Sequence, residues 1–127
     1  MKYIFKDHWN PTKEEIYNWA LDEDALCDQD WELAVAQFEH FELMVQLAND
    51  NSLAKRYFFL GCLYVFTGDI VRSENQSEIE RLKSLINQLN LKNESNEIKD
   101  WRLRSLYLIQ NPSQYDYTYW GLNSKYI

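Results

Sequence analysis

The sequence predicts an all-α fold: a single-domain bundle of five to six helices over residues 1–127, built around a central apolar helix at about residues 53–72. Three observations predict it. Apolar residues recur at i, i+3, i+4 and i+7 along most of the chain, the period of one helix face. Gly numbers 3 and Pro 2 in 127 residues, too little punctuation for a many-turned β-sandwich or a glycine-rich phosphate loop. The apolar share is 46% and the aromatic share 16%, enough for a packed core and too much for a disordered chain.

Each element follows from its own residues. Thr12 as N-cap with Glu15 three residues on is a capping box, and Ile16, Trp19 and Ala20 give the first helix an apolar face running to about Asp22. An acidic connector, Glu23 to Asp28, comes next. Asp28 or Asp30 is placed to cap a second helix from about Asp30 to Asn49, whose stripe is Trp31, Ala34, Val35, Phe38, Phe41, Val45 and Ala48, broadened by Leu33, Met44 and Leu47. Ser52 is placed to cap a third helix, Leu53 to Arg72, apolar on nearly all sides and therefore central. Ser77 with Glu80 reads as another capping box, leading into Ile79, Leu82, Leu85, Ile86 and Leu89. A fifth helix from Ser95 to Gln110 presents Ile98, Trp101, Ser105, Leu108 and Ile109, and Pro112 ends it. The aromatic tail beyond Ser113 is read as a last short helix in preference to a strand of Tyr115–Tyr119 paired with Lys2–Phe5.

Charge is unevenly distributed. Residues 1–54 carry twelve Asp or Glu against three lysines, net −9, and residues 55–127 carry ten Lys or Arg against eight acids, net +2. The balance excludes direct nucleic-acid binding, which needs a basic stripe, and an anionic membrane surface. The longest apolar run, Tyr57 to Thr67, falls short of the roughly 20 residues a membrane span needs. The first seven residues do not form a secretion signal, so a cytoplasmic protein is expected, and Cys27 and Cys62 are expected as two buried thiols.

The acids define the candidate site. Glu32 and Glu39 are seven apart, two turns of one helix face. Glu42 lies three beyond Glu39, and Asp28 four before Glu32. With Asp22, Glu23, Asp24 and Asp30 they form a face suited to a Lys/Arg-rich protein partner; the competing reading is an ordinary solvated face. Lys55-Arg56 stand where they would pair with acids of the first two helices and neutralise part of it, and Asp69 reads either as a partly buried pair with Arg72, three residues on, or as a cap for the segment beyond. Tyr115, Tyr117 and Tyr119 serve either as partner anchors or as a seal on the bundle's end.

No catalytic residue, metal ligand set or cofactor site is assigned. Asp22, Asp24, Asp28 and Asp30 alternate as in a calcium loop, but the positions needing Gly and Glu hold Cys27 and Leu33. His8, Cys27, His40 and Cys62 share no metal-site spacing, and GxSxG, Walker and GxGxxG motifs are absent.

Glu15-Ile16-Tyr17-Asn18-Trp19-Ala20-Leu21-Asp22, continuing to Asp30-Trp31-Glu32-Leu33-Ala34-Val35, and the run Lys55 to Asp69 resemble small all-helical bacterial immunity proteins. These are antidotes to polymorphic or contact-dependent growth-inhibition toxins, and the resemblance covers about the first 72 residues. It implies a non-enzymatic cytoplasmic inhibitor of a cognate, basic toxin domain such as a nuclease. A helical scaffold or regulatory adaptor is the alternative, and self-association is left open.

Overall fold

The computed structural model of the chain describes residues 5–27 and 30–122. Six α-helices form among them: α1 Lys13–Leu21, α2 Glu32–Val35, α3 Phe41–Ala48, α4 Arg56–Arg72, α5 Gln76–Asn87 and α6 Asn96–Gln110. Single 3-10 turns at Phe38–His40 and Pro112–Gln114 and a π-type turn at Thr118–Leu122 complete the pattern, and no strand occurs among the described residues. The all-α class is as expected. The described part of the tail, to residue 122, turns helically at Pro112–Gln114 and Thr118–Leu122 and has no strand, and the alternative strand partner, Lys2–Phe5, lies largely outside the described residues.

Side-chain capping explains three of the six α-helix starts. Thr12 Oγ1 accepts the Glu15 N–H at 3.1 Å while Glu15 Oε1 accepts the Thr12 N–H at 2.9 Å, closing the predicted capping box of α1. Ser95 Oγ accepts the Ile98 N–H at 3.2 Å and starts α6 as expected.

Four expectations are corrected. α5 is capped by Asn75, whose Oδ1 accepts the Glu78 N–H at 3.2 Å; Ser77 lies inside the helix and donates to the same oxygen at 2.9 Å. Asn is an equally good cap and comes first along the chain, so it captures the free amide. α4 starts at Arg56 without a side-chain cap, because the Ser52 hydroxyl and N–H both donate to Asp50 Oδ1 (2.6 and 2.9 Å) in a local turn. Asp30 does not cap α2. It stands before Trp31 with φ at +66°, and Asp28 lies outside the described residues.

The fourth correction is the second helix, which is two. α2 stops at Val35, Ala36 and Gln37 step into non-helical backbone, and the chain restarts at Phe38. The Gln37 side-chain amide donates to the Leu33 carbonyl at 3.0 Å, satisfying one of the carbonyls that the end of α2 leaves free. The step sets Phe38 edge-on to Phe66 at 4.9 Å, with the Arg81 guanidinium 4.2 Å above its ring. These contacts, not a local breaker, decide the break.

α4 is buried from Phe59 to Gly68, and again at Ile70 and Val71, because α2, α3, α5, α6 and the C-terminal turn all pack against it. Inside this shell lies one polar group of contacts. The Thr67 hydroxyl donates to the Leu63 carbonyl (3.0 Å), accepts the Trp101 indole N–H (3.1 Å) and lies 3.2 Å from Ser105 Oγ, and Thr67, Trp101 and Ser105 are fully buried. At the far end, Trp120 packs on Tyr64 at 5.2 Å and closes the core. Gly68 makes this possible, since a Cβ there would stand 2.9 Å from both Trp120 Cβ and Tyr115 Cε2.

Candidate functional site: an acidic loop at the end of α1

Three aromatic residues bring one end of the bundle together. The Trp19 ring of α1 lies 4.8 Å from Trp31 and 4.9 Å from Phe58, and Trp31 stacks on Phe58 at 5.8 Å. Trp31 also touches Phe5 (5.0 Å) and donates its indole N–H to the His8 carbonyl at 2.8 Å. The end of α1, the start of α2 and the start of α4 are therefore clamped to one another, and the α1–α2 connector is projected from that clamp.

Asp22 ends α1, and its Oδ1 accepts the Asp24 N–H at 3.1 Å while its carbonyl accepts the Ala25 N–H at 3.2 Å. Glu23 and Asp24 are left exposed on the resulting turn, Ala25 is buried beneath it, and Leu26 is 88% exposed. Asp30 is exposed and Glu32, the first residue of α2, is half-buried. Cys27 is half-buried and Cys62 fully buried, so one of the two expected buried thiols is partly open. Burial, followed by the negative potential of Glu32 and Cys27, pushes the Cys62 thiol well up.

Lys55 holds the turn. Its ammonium donates to the Trp19 carbonyl at 2.8 Å and the Asp22 carbonyl at 2.5 Å and stands 3.7 Å from the centre of the Trp19 ring. Burial lowers its pKa, and the charges of Asp22, Cys27 and Asp24 draw it back up. The expected Arg56 pairing with acids of the first two helices is not formed; Arg56 pairs with Glu97 of α6 at 2.9 Å. Arg102 likewise pairs with Glu94 at 2.6 Å, and Arg72 donates to the Tyr115 hydroxyl at 3.4 Å. Among the described residues, no lysine or arginine forms an ion pair with Asp22, Glu23, Asp24, Asp30, Glu32, Glu39 or Glu42.

The acids do not form one helical stripe. The break at Ala36 removes the helix on which Glu32 and Glu39 were to share a face. Glu39 and Glu42 instead line a groove of about 470 Å³ between the start of α1, α3 and α5, with Phe38 and Phe41 in its wall and Lys13 and Arg81 beside them. Lys13 begins α1 and Leu21 ends it, so this groove and the acidic loop stand about 12 Å apart along the helix.

Of the tyrosines, Tyr119 packs against Tyr64 (5.7 Å) and accepts a hydrogen bond from Arg104, Tyr115 is half-buried, and Tyr117 alone stays exposed, at 55%. Sequence reasoning overlooked Leu26 as a displayed group and Lys55 as a brace. The first had a signal, an apolar residue flanked by acids. The second had none, because its acceptors are backbone carbonyls.

His40 adjoins the groove. It is 2% exposed, with Nε2 at 3.7 Å from Glu39 Oε1. Burial lowers its pKa below the ordinary 6.5; Glu39 opposes this and Lys13 adds to it. The folded state therefore prefers neutral imidazole. Stability is fully present above pH 6.5 and falls as pH drops below it, where the unfolded chain binds the extra proton. Urea midpoints should decline as pH is lowered from about 7.5 to about 5.5, and His40→Gln should flatten that decline.

No three His, Cys, Asp or Glu side chains among the described residues are grouped so as to hold a metal ion, and no described helix is long and apolar enough to cross a membrane. In comparisons with known proteins, no family model matches the chain, and neither does any curated protein or solved structure.

Proposed function

We propose that this chain is an immunity protein of the cytoplasm, a non-enzymatic antidote that docks a basic toxin domain on its α1–α2 loop. The observation that carries the reading is the loop itself: Glu23, Asp24 and Asp30 are exposed, none in an ion pair with a described lysine or arginine, and the same loop leaves Leu26 88% in solvent. An apolar anchor on an acidic loop is complementary to an apolar patch flanked by lysine and arginine. Potential of this sign speeds encounter, while the leucine and any desolvated pairs hold the complex. Exposed ion pairs alone contribute only ~0–1 kcal/mol each, so the apolar anchor is a necessary part of the reading.

The test has two steps. A tagged copy is used as bait in the native host, and the captured protein is expressed alone and together with this chain. A basic protein that arrests growth alone and is harmless in co-expression supports the reading; a growth-neutral partner makes the chain an adaptor instead. Affinity for that partner is then measured with Glu23→Lys, Asp24→Lys and Asp30→Asn combined. Asn is used at position 30 because it tolerates the positive φ there. A loss on the order of 100-fold is expected. Unchanged affinity, or an equal loss on reversing Glu39 and Glu42 instead, moves the interface away from the loop.

A further inference from the structure

We infer that Lys55 is a positioning residue for the acidic loop, and this inference rests on the docking reading above. Where α1 ends, the Trp19 carbonyl accepts the Asp22 N–H and the Asp22 carbonyl accepts the Ala25 N–H, each at 3.2 Å, and the Lys55 ammonium donates to the second lone pair of both from its seat on the Trp19 ring. The remaining order of the turn depends on Asp22, whose carbonyl and carboxylate receive the Ala25 and Asp24 amides. Fixing Asp22 thus fixes the backbone at Asp24 and Ala25, the residues that lead into Leu26. Lys55 immediately precedes α4, the most buried helix, so the brace ties the display loop to the rigid centre of the molecule.

The charge of Lys55 works against docking a cationic partner, which makes the test decisive in sign. Lys55→Met keeps an apolar stem on Trp19 and makes the chain one unit more negative than −7. If Lys55 acted only through charge, the variant would bind a basic partner faster and more tightly. A positioning role gives the opposite: the Asp22 and Ala25 amides exchange about tenfold faster or more in the free protein, and affinity for the basic partner captured above falls by about tenfold, the scale of lost charge-assisted hydrogen bonds. Lys55→Gln keeps an amide donor group without the charge and should fall between, and it carries the test if the Met variant does not fold. Unchanged exchange, or binding as tight as or tighter than wild type, overturns the inference. The exchange measurement needs no partner, so it decides the brace even if the wild-type chain captures no basic protein and the docking reading fails.

Discussion

Trp31→Ala is expected to lower the stability of this protein by about 3–5 kcal/mol, the range for emptying a fully buried tryptophan site. Trp31 is fully buried, with Phe5, Trp19 and Phe58 rings 4.8 to 5.8 Å from its own. Truncation leaves a cavity at the junction of α1, α2 and α4 and strips the His8 carbonyl of its indole donor (2.8 Å). Domains of this size have about 5–15 kcal/mol in total, so the variant should be partly unfolded or nearly so at ambient temperature. Urea unfolding followed by far-ultraviolet circular dichroism checks it. Trp31→Phe should recover much of the loss, because a ring still fills most of the site, although the indole hydrogen bond and part of the buried volume are missing. Full stability in the alanine variant would show that the clamp at this end is not packed as described.

Gly68→Ala is the second. In an isolated helix, glycine to alanine is stabilising by about 1 kcal/mol. Here the sign reverses, because the new methyl would lie 2.9 Å from Trp120 Cβ and 2.9 Å from Tyr115 Cε2. A Cβ is fixed by its own backbone, so it cannot swing aside as a side-chain tip would. The segment from Tyr115 to Trp120 must shift, loosening Tyr119 and Trp120 from Tyr64. A loss of about 1–3 kcal/mol is expected, the cost of overpacking a filled core. Gly61→Ala in the same helix is the internal control. A Cβ there meets nothing within 4 Å, so that change should be neutral or stabilising by up to about 1 kcal/mol. Opposite signs at two glycines seven residues apart in α4 would separate contact from propensity, and thermal unfolding of both variants reads it directly.

Legibility in the sequence followed the range of the interaction involved. The boundaries of α1 and α6 were readable because Thr12 with Glu15, and Ser95, act within one turn of themselves. The apolar run of α4 marked the centre because nothing but burial accounts for such a helix. The interruption after Val35 was invisible: it has no glycine or proline, and the apolar pattern continues across it. Phe66 and Arg81, distant in sequence, decide it by receiving Phe38. That miss carried into the candidate site, since Glu32 and Glu39 were aligned on a helix that does not exist. The acids of the connector survive as a group because chain proximity, not helical periodicity, holds them together. Which of them are already committed to the turn, as Asp22 is through Asp24, only the structure distinguishes.

The hydroxyl of Thr67 has a consequence for how α6 is seated. An apolar seam of leucines and isoleucines accepts several alignments of similar energy, one turn apart. The Trp101 indole N–H and the Ser105 hydroxyl find partners in only one of them. Sliding α6 by a turn would strand those groups in a dry interior, at about 1–3 kcal/mol for each orphaned donor or acceptor. The same residue thus acts as a ratchet tooth: it adds little to cohesion but selects a single alignment, as isolated buried polar groups do in coiled coils.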